Sequence, residues 1–185
     1  MKRFAKILIN SALAGLALTW GGLASAAMSS AEIDSGVQST LQAFYAQHSG
    51  NHELVDKAAA VLVFPKVTKA GVGIGGLHGE GALIVGGKTV KYYDVNGASV
   101  GATLGVSEHS EVILFMTKKA RDDFENSKGW TIGADAGVAV ASAGAGGNYD
   151  TETLKRPVLS FVLDEKGLMG DLSLSGQKVT PKATT

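Results

Sequence analysis

From Lys69 to Thr89 the chain reads KAGVGIGGLHGEGALIVGGKT, and eight of these residues are glycine. A glycine inside a helix costs about 1 kcal/mol relative to alanine, so this stretch does not fold as one. Its apolar residues alternate with small ones, which is the period of a strand. Glycine within strands marks bulges, bends or close backbone approach. The segment therefore predicts a strongly bent sheet. Glycine clusters again over 97–105, 129–147 and 167–176, at intervals too irregular for a sequence repeat.

The same glycines imitate three sites of known chemistry. Gly71, Gly73 and Gly76 spell G-x-G-x-x-G, but a dinucleotide site needs a helix after the glycines to receive the pyrophosphate. Gly87-Lys88-Thr89 resembles the end of a phosphate-binding loop, yet Ala82 stands where that loop requires glycine and the strand-like VKYYDV follows. A turn between two strands accounts for Gly86-Gly87. Gly97-Ala98-Ser99-Val100-Gly101 has the letters of a nucleophile elbow, again without the helix that motif requires. His48, His52, His78 and His109 show no metal-ligand spacing. No catalytic residue, cofactor or metal site is expected, and the chain reads as a non-enzymatic protein.

Ser29 and Glu32 form an S-x-x-E capping box, followed by Ile33, Val37, Leu41 and Phe44 on one helical face. This helix ends near Gly50, and Asn51 is expected to cap a second one, HELVDKAAAVL, that stops before Pro65. Strands are expected near 70–77, 80–86, 88–94, 98–106 and 110–116, the last a continuous apolar run buried on both faces. Thr117 caps a helix that ends before Gly129. Further strands are expected over 130–141, 157–164 and 168–175, with fraying beyond Thr180. The fold class is α+β: a strongly curved, barrel-like antiparallel sheet with N-terminal helices and one helix inserted after the central strands.

The N-terminus has Lys2, Arg3 and Lys6, an apolar run from Ile7 to Leu18, and Ala24-Ser25-Ala26. That is the pattern of a secretory signal peptide over 1–26; the run is short for a membrane anchor, the alternative reading. The expected organisation is this leader, one domain over 27–180 and a tail over 181–185. The leader holds three of the 17 basic residues and no acid, leaving 14 basic against 17 acidic residues. A chain so charged lacks the basic footprint of a nucleic-acid binder. It has no cysteine, so neither disulfides nor a lipidated N-terminal cysteine are available. Periplasm or cell envelope is the expected location, with peripheral attachment to a membrane.

Ala58–Val85 carries Val61-Leu62-Val63-Phe64-Pro65, then Lys69-Ala70-Gly71, Gly75, Gly76, Gly79 and Gly81. SEVILFMT (110–117), Gly129-Trp130 with Gly133-Ala134-Asp135, and GLMGDLSLSGQK (167–178) follow in order. This ordered set resembles the SYLF-domain family. The resemblance implies binding to membrane lipid, with phosphoinositides the ligands of eukaryotic members, some of which also bind actin. Actin is not an expected partner in an exported compartment.

Candidate lipid contacts are Lys66 and Lys69, together with Lys88 and Lys91 if the curved sheet brings the two pairs together. Lys118, Lys119 and Arg121 make a second candidate patch. The first helix has no lysine or arginine, whereas a helix lying on a membrane usually carries basic residues; core packing suits it better. The alternative to a lipid binder is an envelope structural or protein-interaction module without direct lipid contact. Oligomeric state is left open.

Overall fold

The computed structural model describes residues 27–132, 138–140, 149, 151–164, 167–168 and 176–183. Two helices, α1 (Ser30–Gln47) and α2 (Gly50–Lys57), lead into two very long strands, β1 (Ala60–Val85) and β2 (Lys88–Phe115). Then follow α3 (Lys118–Glu125), β3 (Trp130–Thr131), β4 (Val138–Val140), α4 (Thr151–Leu154), β5 (Val158–Asp164), β6 (Gly167–Leu168) and β7 (Lys178–Pro181). The strands form one sheet in the order β3-β7-β2-β5-β4, with β1 on β2 and β6 on β5. All pairs are antiparallel except β4 with β5. This is the expected curled sheet, here a half-barrel.

The β1–β2 hairpin dominates it. Gly86 and Gly87 form its two-residue turn with φ of 57° and 76°, the left-handed pair that suits a tight hairpin. At about 3.3 Å per residue, a straight strand the length of β1 would span roughly 85 Å. Instead the hairpin doubles back on itself. A Cβ on Gly79 would lie 2.8 Å from the Lys66 carbonyl, and one on Gly81 would run into the Val63 carbonyl. At the bend, a Cβ on Gly71 would fall on Gly75 Cα. Register shifts at Phe64/Val67, Val72/Ile74 and Leu83/Ile84 absorb the curvature.

The five strands expected over 70–116 are thus two. The breaks expected near 78–79, 95–97 and 107–109 are continuous strand, and β1 starts earlier, at Ala60. Pairing decides it: His78 faces Asn96, and Asn96 also pairs with Lys178 of β7. The second helix stops at Lys57, so AAAVL is not helical. Val61 and Val63 there pack under α1 while Ala60 and Leu62 point to the barrel interior.

That two-sided burial explains the apolar runs VLVF and EVILF. Ile33, Val37, Leu41 and Phe44 of α1 cover one side, as the spacing predicts. On the other, Phe115, Phe124 and Trp130 pack with ring centroids 4.8 to 5.7 Å apart. The Ser29–Glu32 capping box and the Thr117 cap form as expected. Asn51 is not a cap. It is buried, donating its side-chain amide to the Phe44 carbonyl at 2.7 Å and accepting from the Tyr149 hydroxyl. The expected leader and most of 133–148 and 169–175 lie outside the described residues.

Candidate functional site

Helix α1 separates the lysines of the hairpin. On one flank, Gly36, Thr40 and Gln47 line a cleft of about 440 Å³ with Pro65, Lys66 and Glu108. On the other, Gln38, Leu41 and Tyr45 line one of about 370 Å³ with Gly86, Gly87 and Thr89. Asp34 holds this second flank, accepting from Thr89 Oγ1 at 2.9 Å and from the Tyr92 hydroxyl at 3.0 Å. Lys66 and Lys69 therefore stand on one side of the helix, and the turn that leads into Lys88 and Lys91 on the other.

The charges differ in availability. Lys66 Nζ lies 2.7 Å from Glu108 Oε1. Lys69, Lys88 and Lys91 have no ion pair among the described residues, and Lys91 Nζ sits 5.5 Å from the centroid of the Tyr93 ring, within cation–π range. On α3, Lys119 pairs with Asp123 at 2.6 Å, and Arg121 with Asp122 at 2.6 Å and Glu125 at 3.3 Å. Of that cluster Lys118 alone lacks an ion pair among the described residues. Acids at i+1 and i+4 cancel most of its field.

The interior holds polar groups that the sequence reading missed. His109 Nε2 lies 2.9 Å from Glu111 Oε1, and Gln177 Nε2 donates to the same oxygen at 3.1 Å. Glu111 is fully buried; its Oε2, with Ser160 Oγ and Gln177 Oε1, has no hydrogen-bond partner among the described residues. Ser, His and Glu are the letters of a hydrolase triad, but here the histidine engages the glutamate and no hydrogen bond links it to Ser160. The one signal was the i, i+2 spacing of His109 and Glu111 beside an apolar run, which puts both on one strand face.

A second polar group joins the two ends of the described chain. Glu80 accepts from the Met28 backbone N–H at 2.6 Å and from Lys182 Nζ, which also donates to the Met28 carbonyl at 3.1 Å. The expected fraying beyond Thr180 is thus not seen: Pro181 completes β7 and Lys182 is tied to Glu80. Beside this clasp, burial raises the pKa of Asp94, against the attraction of Lys182. Burial also pushes the Tyr93 hydroxyl up to about 12 and raises that of Tyr149.

Among the described residues no three histidine, aspartate or glutamate side chains converge as metal ligands. No helix among them is long and apolar enough to cross a membrane. Residues 96–185 match the Ysc84 family model, described as Las17-binding protein actin regulator; the match starts within β2 and takes in everything after it. No curated protein matches the chain.

Proposed function

The chain belongs to the SYLF-domain family, and from that premise we propose that it is a non-enzymatic exported module that binds membrane lipid. The observation that carries this reading is the hairpin's charge. Lys69, Lys88 and Lys91 are free of ion pairs among the described residues although the exported chain carries more acids than bases. Each lysine near an anionic surface contributes about 1 kcal/mol. Because α1 divides Lys69 from Lys88 and Lys91, they do not act as one patch, and the attraction is weak and salt-sensitive rather than firm attachment. The α3 cluster, with Lys119 and Arg121 already paired, contributes less. Phosphoinositide-like or other anionic headgroups fit this chemistry equally.

Export is part of the proposal. The leader pattern over 1–26 motivates it, and Met28, two residues beyond the expected cleavage point, is already fastened to Glu80 and Lys182. Mass analysis of protein recovered from the envelope checks this: the chain should begin at Ala27, and an intact Met1 would reject the leader.

Co-sedimentation with vesicles tests lipid binding. The exported protein should pellet with phosphatidylglycerol-containing vesicles at low salt. The double variant Lys66→Ala/Lys69→Ala should weaken pelleting several-fold, whereas Lys118→Ala/Lys119→Ala should leave it near wild type. The reverse order would move the contact to α3. A protein-interaction module of the envelope is the second reading, favoured by the family description, which names a protein partner. Capture of envelope protein that survives detergent, with no vesicle binding, would establish it instead.

A further inference from the structure

Free lysines divided between two flanks of α1 hold a protein on a membrane only weakly, and the bend of the hairpin offers a second kind of contact. From Ala70 to Ile74, β1 alternates apolar residues with glycine. Gly71 lies on the inner side of the bend, where a Cβ added to it would strike the Gly75 backbone. The register places Ala70 opposite Val106, so Val72 and Ile74, in step with Ala70, share the outer side with Val106.

Val72, Ile74 and Val106 are 76%, 73% and 68% exposed. Inner glycines are what a sharp bend requires; valine and isoleucine on the outside are not. Threonine or serine would serve a solvated strand as well. Across 69–77 and 97–107 the one charged side chain is Lys69.

We propose that this apex is a membrane-insertion element. Val72, Ile74 and Val106 enter the boundary between headgroups and acyl chains, and Lys69, at the rim beside the patch and directed to the other strand face, reaches the lipid phosphates with its long stem. The proposal rests on the lipid-binding reading and deepens it. A bilayer fits better than a second copy of the chain. The apex offers a few hundred Å² of apolar surface, short of the roughly 800 Å² per partner of a stable interface. Lys69 at its rim carries no ion pair among the described residues, and a bilayer supplies it with phosphate.

The absence of cysteine makes the test clean. Val72→Cys and Ile74→Cys, each carrying a polarity-sensitive fluorophore, are compared with Ala46→Cys on α1. On phosphatidylglycerol–phosphatidylcholine vesicles the labels at 72 and 74 should brighten, shift to the blue and be quenched by nitroxide-bearing acyl chains, while the label at 46 stays in water. Unlabelled Val72→Asp/Ile74→Asp should lose binding by about tenfold or more, the change set by partial burial of one aliphatic side chain. Vesicle pelleting with both apex labels still reporting water would overturn insertion and leave lipid binding standing. A blue shift that grows with protein concentration without lipid would assign the apex to self-association and overturn it too. No pelleting at any lipid composition would remove the reading beneath it.

Discussion

A methyl group at position 81 has nowhere to go, because the Val63 carbonyl of the same strand already fills the space. Gly81→Ala should therefore destabilise the fold by about 2 kcal/mol or more, the upper range for overpacking a tight core, read from the urea midpoint. An unchanged midpoint would mean that the two halves of the hairpin do not touch there. Asp94 tests the electrostatics. Its Oδ1 is buried without a partner among the described residues, and burial raises its pKa above the usual 3.8. An acid so shifted binds its proton more tightly folded than unfolded. Its contribution is fully present below the unfolded pKa and is lost as pH rises through the folded one. Asp94→Asn should therefore melt above wild type at neutral pH, with the gap closing on acidification; a lower melting temperature at neutral pH would contradict this. Glu32 has the opposite sign. The Ser29 hydroxyl and backbone N–H lower its pKa, so the cap weakens as pH falls.

At the scale of elements, what could be read in advance was local. The Ser29–Glu32 capping box, the helical apolar face, the glycine turn and the Thr117-capped α3 helix all follow from residues within a few positions of one another. Strand continuity does not. His78-Gly79 and Asn96-Gly97 look like turns in sequence, and only pairing with distant segments keeps them extended. The role of Asn51 was hidden for the same reason, since its partners are Phe44 at the end of α1 and Tyr149 far along the chain. Asn51→Ala should cost about 1–3 kcal/mol by leaving a buried carbonyl without its donor, checked by denaturant titration. A neutral effect would show that water replaces the amide. The candidate site divides similarly. Pairing of Lys119 with Asp123 follows from i, i+4 spacing, but neutralisation of Lys66 by Glu108 needed the register of the hairpin.

The whole molecule combines a stretch from residue 27 onward with 14 basic against 17 acidic residues, a sheet that curls because glycine lets one hairpin double back, and an apex with exposed Val72, Ile74 and Val106. The first described residues and the segment after the last strand meet at Glu80, and the bend carries exposed apolar side chains. On this account attraction to a membrane has two components that salt separates. Lysine attraction is screened, with a Debye length of about 8 Å at physiological ionic strength, and aliphatic insertion is not. Sedimentation of the protein beginning at Ala27 with anionic vesicles across a salt series measures both at once. Most of the protein should pellet at low salt, and a smaller fraction should persist at high salt. Protein that stays in the supernatant at low salt with every anionic and zwitterionic composition would contradict the account.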